Sequence, residues 1–131
     1  MCARIRIHDT MVKSCERLPV WLAHGRHGLL VWAGFAQRES VGWWQQNGGV
    51  LIDVPAHGFA QQSKTPGDLI WIPVPPGQVI RGIMDPREGV PFVKILIRPA
   101  TESDHASFEH PRMPVLASPL FSADPIALAQ A

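Results

Sequence analysis

Thirteen prolines and eleven glycines are spread along these 131 residues, and they leave little room for a long helix. Proline inside a helix removes a backbone donor and clashes with the preceding turn, and glycine is the next most costly residue there. The stretches between these breakers read as strands. "ARIRI" (3–7) alternates apolar and basic residues, as a half-buried strand does. "LLVWAGF" (29–35), "VLIDV" (50–54), "LIWIPV" (69–74), "QVIRGI" (78–83) and "FVKILI" (92–97) are rich in β-branched and aromatic residues, bounded by Gly, Pro or Asp. "PPGQ" (75–78) and "DPREG" (85–89) have turn composition. "SDHASF" (103–108) has room for one or two helical turns, with Thr101 or Ser103 as N-cap. The expectation is a compact single domain, mostly β within a β-rich α+β class, with a small barrel-like or sandwich core and short helices. That domain is expected over residues 1–116. Residues 117–131, small and polar apart from Leu120, Phe121 and a few aliphatics, are expected to form a tail ordered in part at best.

Composition narrows the class. Hydrophobic residues at 46% and charged residues at 18% argue against a disordered chain. A formal net charge of +1 argues against a strongly basic nucleic-acid coat protein. Within residues 1–40, however, Arg4, Arg6, Lys13, Arg17, Arg26 and Arg38 face Asp9, Glu16 and Glu39, an excess of three positive charges. Such a basic third suits local phosphate binding, and equally an ordinary solvated surface. Two cysteines, Cys2 and Cys15, with no signal-like leader, point to a reducing cytoplasm. No apolar run reaches membrane-spanning length, so no membrane partner is expected. His24 and His27 in "HGRH" stand close, but the six histidines lack ligand spacing, and neither a metal nor another cofactor is expected. Tryptophan at strand positions usually serves the core. The pair Trp43–Trp44, read as neighbours on a strand, would point to opposite faces and leave one ring exposed.

Two motifs at opposite ends carry more specific chemistry. The chain begins "MCAR", and residues 110–116 read "HPRMPVL". Here the sequence resembles the SOS-response-associated peptidase (SRAP) family, whose members trap abasic sites in single-stranded DNA. That family starts Met-Cys-Gly-Arg and carries a late His-x-Arg-Met-Pro block. Cys2 and Arg4 match the first pattern, with Ala3 in place of Gly; His110, Arg112, Met113 and Pro114 match the second. Between them, "VLIDVPAHGFAQQ" (50–62) is similar to the family's Cys-Leu-Ile-Pro-Ala-x-Gly-Phe-Tyr-Glu-Trp segment, with Asp53 and Val54 as extra residues. "FAQRES" (35–40) faintly resembles its Asn-Ala-Arg-Ala-Glu-Thr segment, and "GDLIW" (67–71) an Ala-Gly-Leu-Trp strand. The resemblance spans residues 2–116 of a chain shorter than a usual member. It departs from the pattern at two places: the family's glutamate falls on Gln61, and its asparagine on Phe35, with Asn47 out of register.

A terminal cysteine suits this chemistry on physical grounds. Once Met1 is removed, as the resemblance implies, Cys2 carries an α-amine with an ordinary pKa of about 7.7–8.0, partly neutral at physiological pH. That amine can condense with the ring-opened aldehyde of an abasic site to a Schiff base. The neighbouring thiol then closes on the imine carbon to give a thiazolidine, a step favoured by proximity within one residue. His110 is the expected proton carrier. Arg4, Arg112 and Arg38 are the expected phosphate contacts, and Trp43 or Trp44 the expected stacking surface for a base. Gln61 cannot exchange a proton near neutral pH, so slowed crosslinking is expected. The expected partner is single-stranded DNA containing abasic sites, with nucleoid association when bound. Two rival readings stand beside this one. One is a relative that binds single strands without the covalent step. The other is an unrelated small β-barrel interaction domain in which residues 2 and 110 lie apart.

Overall fold

In a computed structural model of the chain, the described residues are 3–62, 68–87, 89–99 and 112–121, without the side chains of His24, Gln62 and Arg112. They form a compact, mostly β domain with mixed sheets and a small helical region. The strands are β1 (Arg4–Ile7), β2 (Thr10–Lys13), β3 (Arg17–Leu22), β4 (Arg26–Gln37), β5 (Val50–Val54) and β6 (Gly58–Gln62). They continue as β7 (Leu69–Pro73), β8 (Val79–Asp85), β9 (Phe92–Pro99), β10 (Arg112–Pro114) and β11 (Leu116–Ala117). One helix, α1, spans Val41–Gln46. The six segments read as strands all appear, β5 with the expected bounds. The possible helix at 103–108 lies outside the described residues.

Among the described residues, β2-β1-β6-β7 form one sheet and β10-β9-β4-β3-β5-β8-β11 the other. In the second sheet β8 also pairs with β9, so hydrogen bonds run in a circuit through β9, β4, β3, β5 and β8. Its narrowest link is β3–β5, which pair at Trp21↔Asp53. The same narrowness explains Pro19 within β3. Away from Trp21 that strand has an edge-like outer side, where proline is tolerated. Where β8 and β9 part, residues 112–117 fill the gap. β10 pairs with β9, β11 pairs with β8, and Val115 donates its amide to Leu96 O (2.9 Å) while its carbonyl accepts from Arg81 N (2.9 Å).

The core lies between the two sheets. Ile5 and Phe59 from one meet Leu18, Trp32, Ile52 and Ile95 from the other, all essentially fully buried. Each such side chain, withdrawn from water, stabilises by about 1.5–3 kcal/mol. A second cluster of Ala36, Ile83 and Leu96 is covered by Val41 and Trp44 of α1.

Trp43 and Trp44 require a correction. They lie in a helix, not on a strand, so their side chains diverge by the roughly 100° of a 3.6-residue turn instead of pointing to opposite faces. The signal was the "NGG" that follows. Asn47 Nδ2 donates to Trp43 O (2.8 Å), Gly48 takes φ +91°, and Gly49 N donates to Trp44 O (2.8 Å), which closes the helix end.

Candidate functional site

The antiparallel pairing of β1 with β6 brings Arg4 to the strand that carries Gln61. Arg4 stands opposite Ala60 and Ile5 opposite Phe59, so Arg4 lies across from the neighbour of Gln61 in β6. Ala3 is buried at 2% exposure and Gln61 at 3%. Gln61, two residues from Phe59, takes the same core-facing side of β6. Arg4 is half-buried, and its guanidinium donates to Ala3 O (3.1 Å), folding back along the chain.

Cys2 and His110 lie outside the described residues. Arg112 opens β10 opposite Pro99, but its side chain is not described. Of the expected centre, Gln61 and Arg4 therefore have described side chains, both on the β1–β6 pair. Phe35, at the position of the family's asparagine, is half-buried and edge-on to Trp32, with ring centroids 5.8 Å apart. It follows a bulge in β4, where Ala33 and Gly34 face one residue of β9. Gly34, at φ +97°, lets the chain turn there, and its carbonyl accepts from Trp32 Nε1 (3.0 Å).

The expected stacking surface sits on the outside of the other sheet. Trp43 is 51% exposed, while Trp44 packs on the second cluster, and the two rings meet edge to face at 5.0 Å. Arg38 is exposed in the short 3-10 turn that leads into α1. Two cations that the sequence did not connect with this surface complete it. The Arg87 guanidinium lies 5.2 Å from the Trp43 ring centroid and 4.9 Å from that of Trp44; Lys94 Nζ lies 5.5 Å from Trp44. Lys94 is anchored by donating to Ala33 O in the bulge (3.0 Å). Arg87 is anchored by Asp85, through Nε to Oδ1 (2.9 Å) and Nη2 to Oδ2 (3.0 Å). These hydrogen bonds hold the Asp85 carboxyl below its usual range, against a smaller opposing effect of burial. The signal for this arrangement lay in "DPREG": the aspartate accepts the Arg87 backbone amide (3.2 Å) and turns that arginine back onto it.

The opposite end of β1 opens into a cleft of about 890 Å³ between the two sheets' margins. Two histidines from distant parts of the chain meet at its edge. Their rings lie 4.3 Å apart, and His57 Nδ1 accepts the His8 backbone amide (3.0 Å). His8 holds φ +53°, in the left-handed region. Burial, then the neighbouring His8 and Arg6, push the His57 imidazole below its ordinary value. Nothing in the spacing of the histidines signals this meeting, which depends on β1 lying beside the residue that precedes β6.

Searches for related proteins match this chain to no family model, no curated protein and no solved structure. Among the described residues, no helix is long and apolar enough to cross a membrane, which leaves membrane-crossing by strands unaddressed.

Proposed function

We propose that this chain is a short, divergent SRAP-type protein that binds single-stranded DNA and traps abasic sites through Cys2 once Met1 has been removed. The observation that supports the reading is the β1–β6 pairing, in which Arg4 of the Met-Cys-x-Arg pattern stands opposite Ala60, next to buried Gln61 at the position of the family's glutamate. The circuit of strands β9, β4, β3, β5 and β8 is in keeping with a barrel-like SRAP core. One departure sits inside that core: Asp53 and Val54, extra relative to the family pattern, are fully buried in β5.

The chemistry needs little beyond the cysteine. The Cys2 amine adds to the sugar aldehyde and water leaves, giving an imine; the thiol then adds across the C=N bond to close the thiazolidine, with His110 moving protons. Arg4, Arg112 and Arg38 would hold phosphates, and exposed Trp43, with Trp44 behind it, would stack on a base.

Denaturing electrophoresis with an abasic single-stranded oligonucleotide tests the reading. A covalent adduct is expected with the native chain, and none with Cys2→Ala; an adduct that persists in Cys2→Ala would falsify it. Intact mass of the purified protein should show Met1 absent. Gln61→Glu should speed adduct formation. At this buried position a carboxyl would be pushed above its usual pKa, and so would retain a proton to donate nearer neutrality.

A second reading is favoured by the residues at two of the family's positions. Gln61 is buried and cannot ionise, and Phe35 packs on Trp32. A protein that binds single strands without covalent chemistry would retard abasic and intact oligonucleotides equally and leave no adduct.

A further inference from the structure

We propose that the cleft at the His8 end of β1 binds a planar aromatic ring bearing an anionic group, the chemistry of a single nucleotide. This site is separate from the cysteine chemistry and does not rest on it.

The cleft is walled by Trp21, Pro55, the Pro75–Pro76 turn and Pro119. Indole and pyrrolidine rings present flat apolar faces against which an aromatic ring packs well. The volume of about 890 Å³ lies within the range of small-molecule sites. The walls are held in place by backbone hydrogen bonds. Gln78 N donates to Pro75 O (3.0 Å), with Gly77 at φ +81° completing a turn of the type that needs glycine there. His57 N donates to Arg6 O (2.7 Å), and Val74 N donates to His57 O (3.0 Å). A cleft made from such turns loses little freedom when it is filled.

The polar edge is chemically one-sided. Because His57 Nδ1 accepts from the His8 amide, the proton of the neutral ring sits on Nε2, which is then a donor. The depressed basicity of His57 keeps that neutral form dominant near neutrality. Arg6, which is not part of the lining, donates to His8 O (3.2 Å) and His57 O (3.4 Å), which holds a positive charge next to the two histidines at the cleft's edge. Among the described residues no acidic side chain lines the cleft; Asp9, next in the chain, is exposed and not part of the lining. Flat apolar walls, a donor and a fixed cation together select a ring with an attached anion over a purely aliphatic or cationic ligand.

The test is a heteronuclear NMR titration of the full chain with deoxyadenosine monophosphate, alongside adenosine (ring alone) and inorganic phosphate (anion alone). Saturable shifts of the Trp21 indole and His57 resonances are expected, with a dissociation constant below about 1 mM, and binding at least about tenfold weaker for adenosine. Phosphate alone should leave the Trp21 indole unmoved. Trp21→Ala and His57→Ala should each weaken the nucleotide by about tenfold. Should Trp21→Ala not fold, Pro76→Asp, an exposed turn position, places a negative charge in the lining and should weaken it as much. A short deoxyadenylate strand that saturates the same resonances at lower concentration identifies a base within a strand as the source; equal or weaker binding identifies the free nucleotide. The proposal is overturned if the nucleotide produces no saturable shift at the cleft, if phosphate alone reproduces the shifts, or if Pro76→Asp binds undiminished. Cys2→Ala should leave this titration unchanged while abolishing the adduct, so the two readings fail separately.

Discussion

Strand β8 carries an ion pair near each end, and the two work in different surroundings. Near its start, Arg81 Nη1 meets Asp53 Oδ1 at 2.5 Å, with side-chain exposures of 9% and 0%. Their remaining polar atoms reach the chain after β11: Arg81 Nη2 donates to Ser118 O (2.7 Å), and Phe121 N donates to Asp53 Oδ2 (2.7 Å). At its far end, Asp85 holds Arg87, whose side chain is 43% exposed, under the two tryptophans. Two buried charges offset their desolvation only when their hydrogen bonds are met, so the first pair commits distant segments to fixed places. The second joins neighbours in sequence, with its arginine half in water where ion pairs contribute about 0–1 kcal/mol, and it aims that cation at the two rings. Residues 118–121, placed by sequence in a tail, are thus tied to the core.

Unfolding experiments can break that contrast. Arg81→Ala, which strands a fully buried carboxylate, should cost about 3–5 kcal/mol in urea unfolding. A loss under about 1 kcal/mol would mean the pair behaves like an exposed one. A chain ending at Ala117 should be less stable than one ending at Phe121 by about 1–3 kcal/mol, because Arg81 and Asp53 lose partners. Equal midpoints would detach the tail from the pair. Arg87→Ala should cost no more than about 1 kcal/mol. Its effect should shrink in 1 M salt, where screening acts over only about 3 Å, whereas that of Arg81→Ala should persist.

The smallest effects are in pH. Asp85 has a folded pKa below its ordinary 3.8, so its contribution is complete above that value and is lost as pH falls through the lowered one. Arg87→Ala should remove this part of the acid-induced decline in Tm. His57 also has a lowered folded value. The unfolded state binds its proton first, so stability should begin to fall below about pH 6.5 and continue through the folded value. His57→Gln should flatten that shallow slope; an unchanged slope would show that the His8–His57 contact does not govern it.

Much of the architecture was written in local pattern. Breakers and β-branched runs marked six strands, and the turn at 75–78 followed from Pro-Pro-Gly. The strand β3 was hidden because Pro19 reads as a breaker until its edge-like position is known. β2, β10 and β11 are too short to carry a periodicity. The candidate residues divided in the same way. Cys2 stood out in sequence because, with Met1 removed, an amine and a thiol would belong to one residue.

Arg87 and Lys94 over the tryptophans, the meeting of His8 with His57, and the partners of Asp53 join positions up to 68 residues apart. The sequence alone determined where six of the strands extend and where the turns at 75–78 and 85–89 fall, because those depend on neighbours along the chain. Which charge is buried, which histidine has its basicity lowered and which cleft opens were decided by strand pairing, because desolvation and electrostatic contact depend on what lies alongside in space.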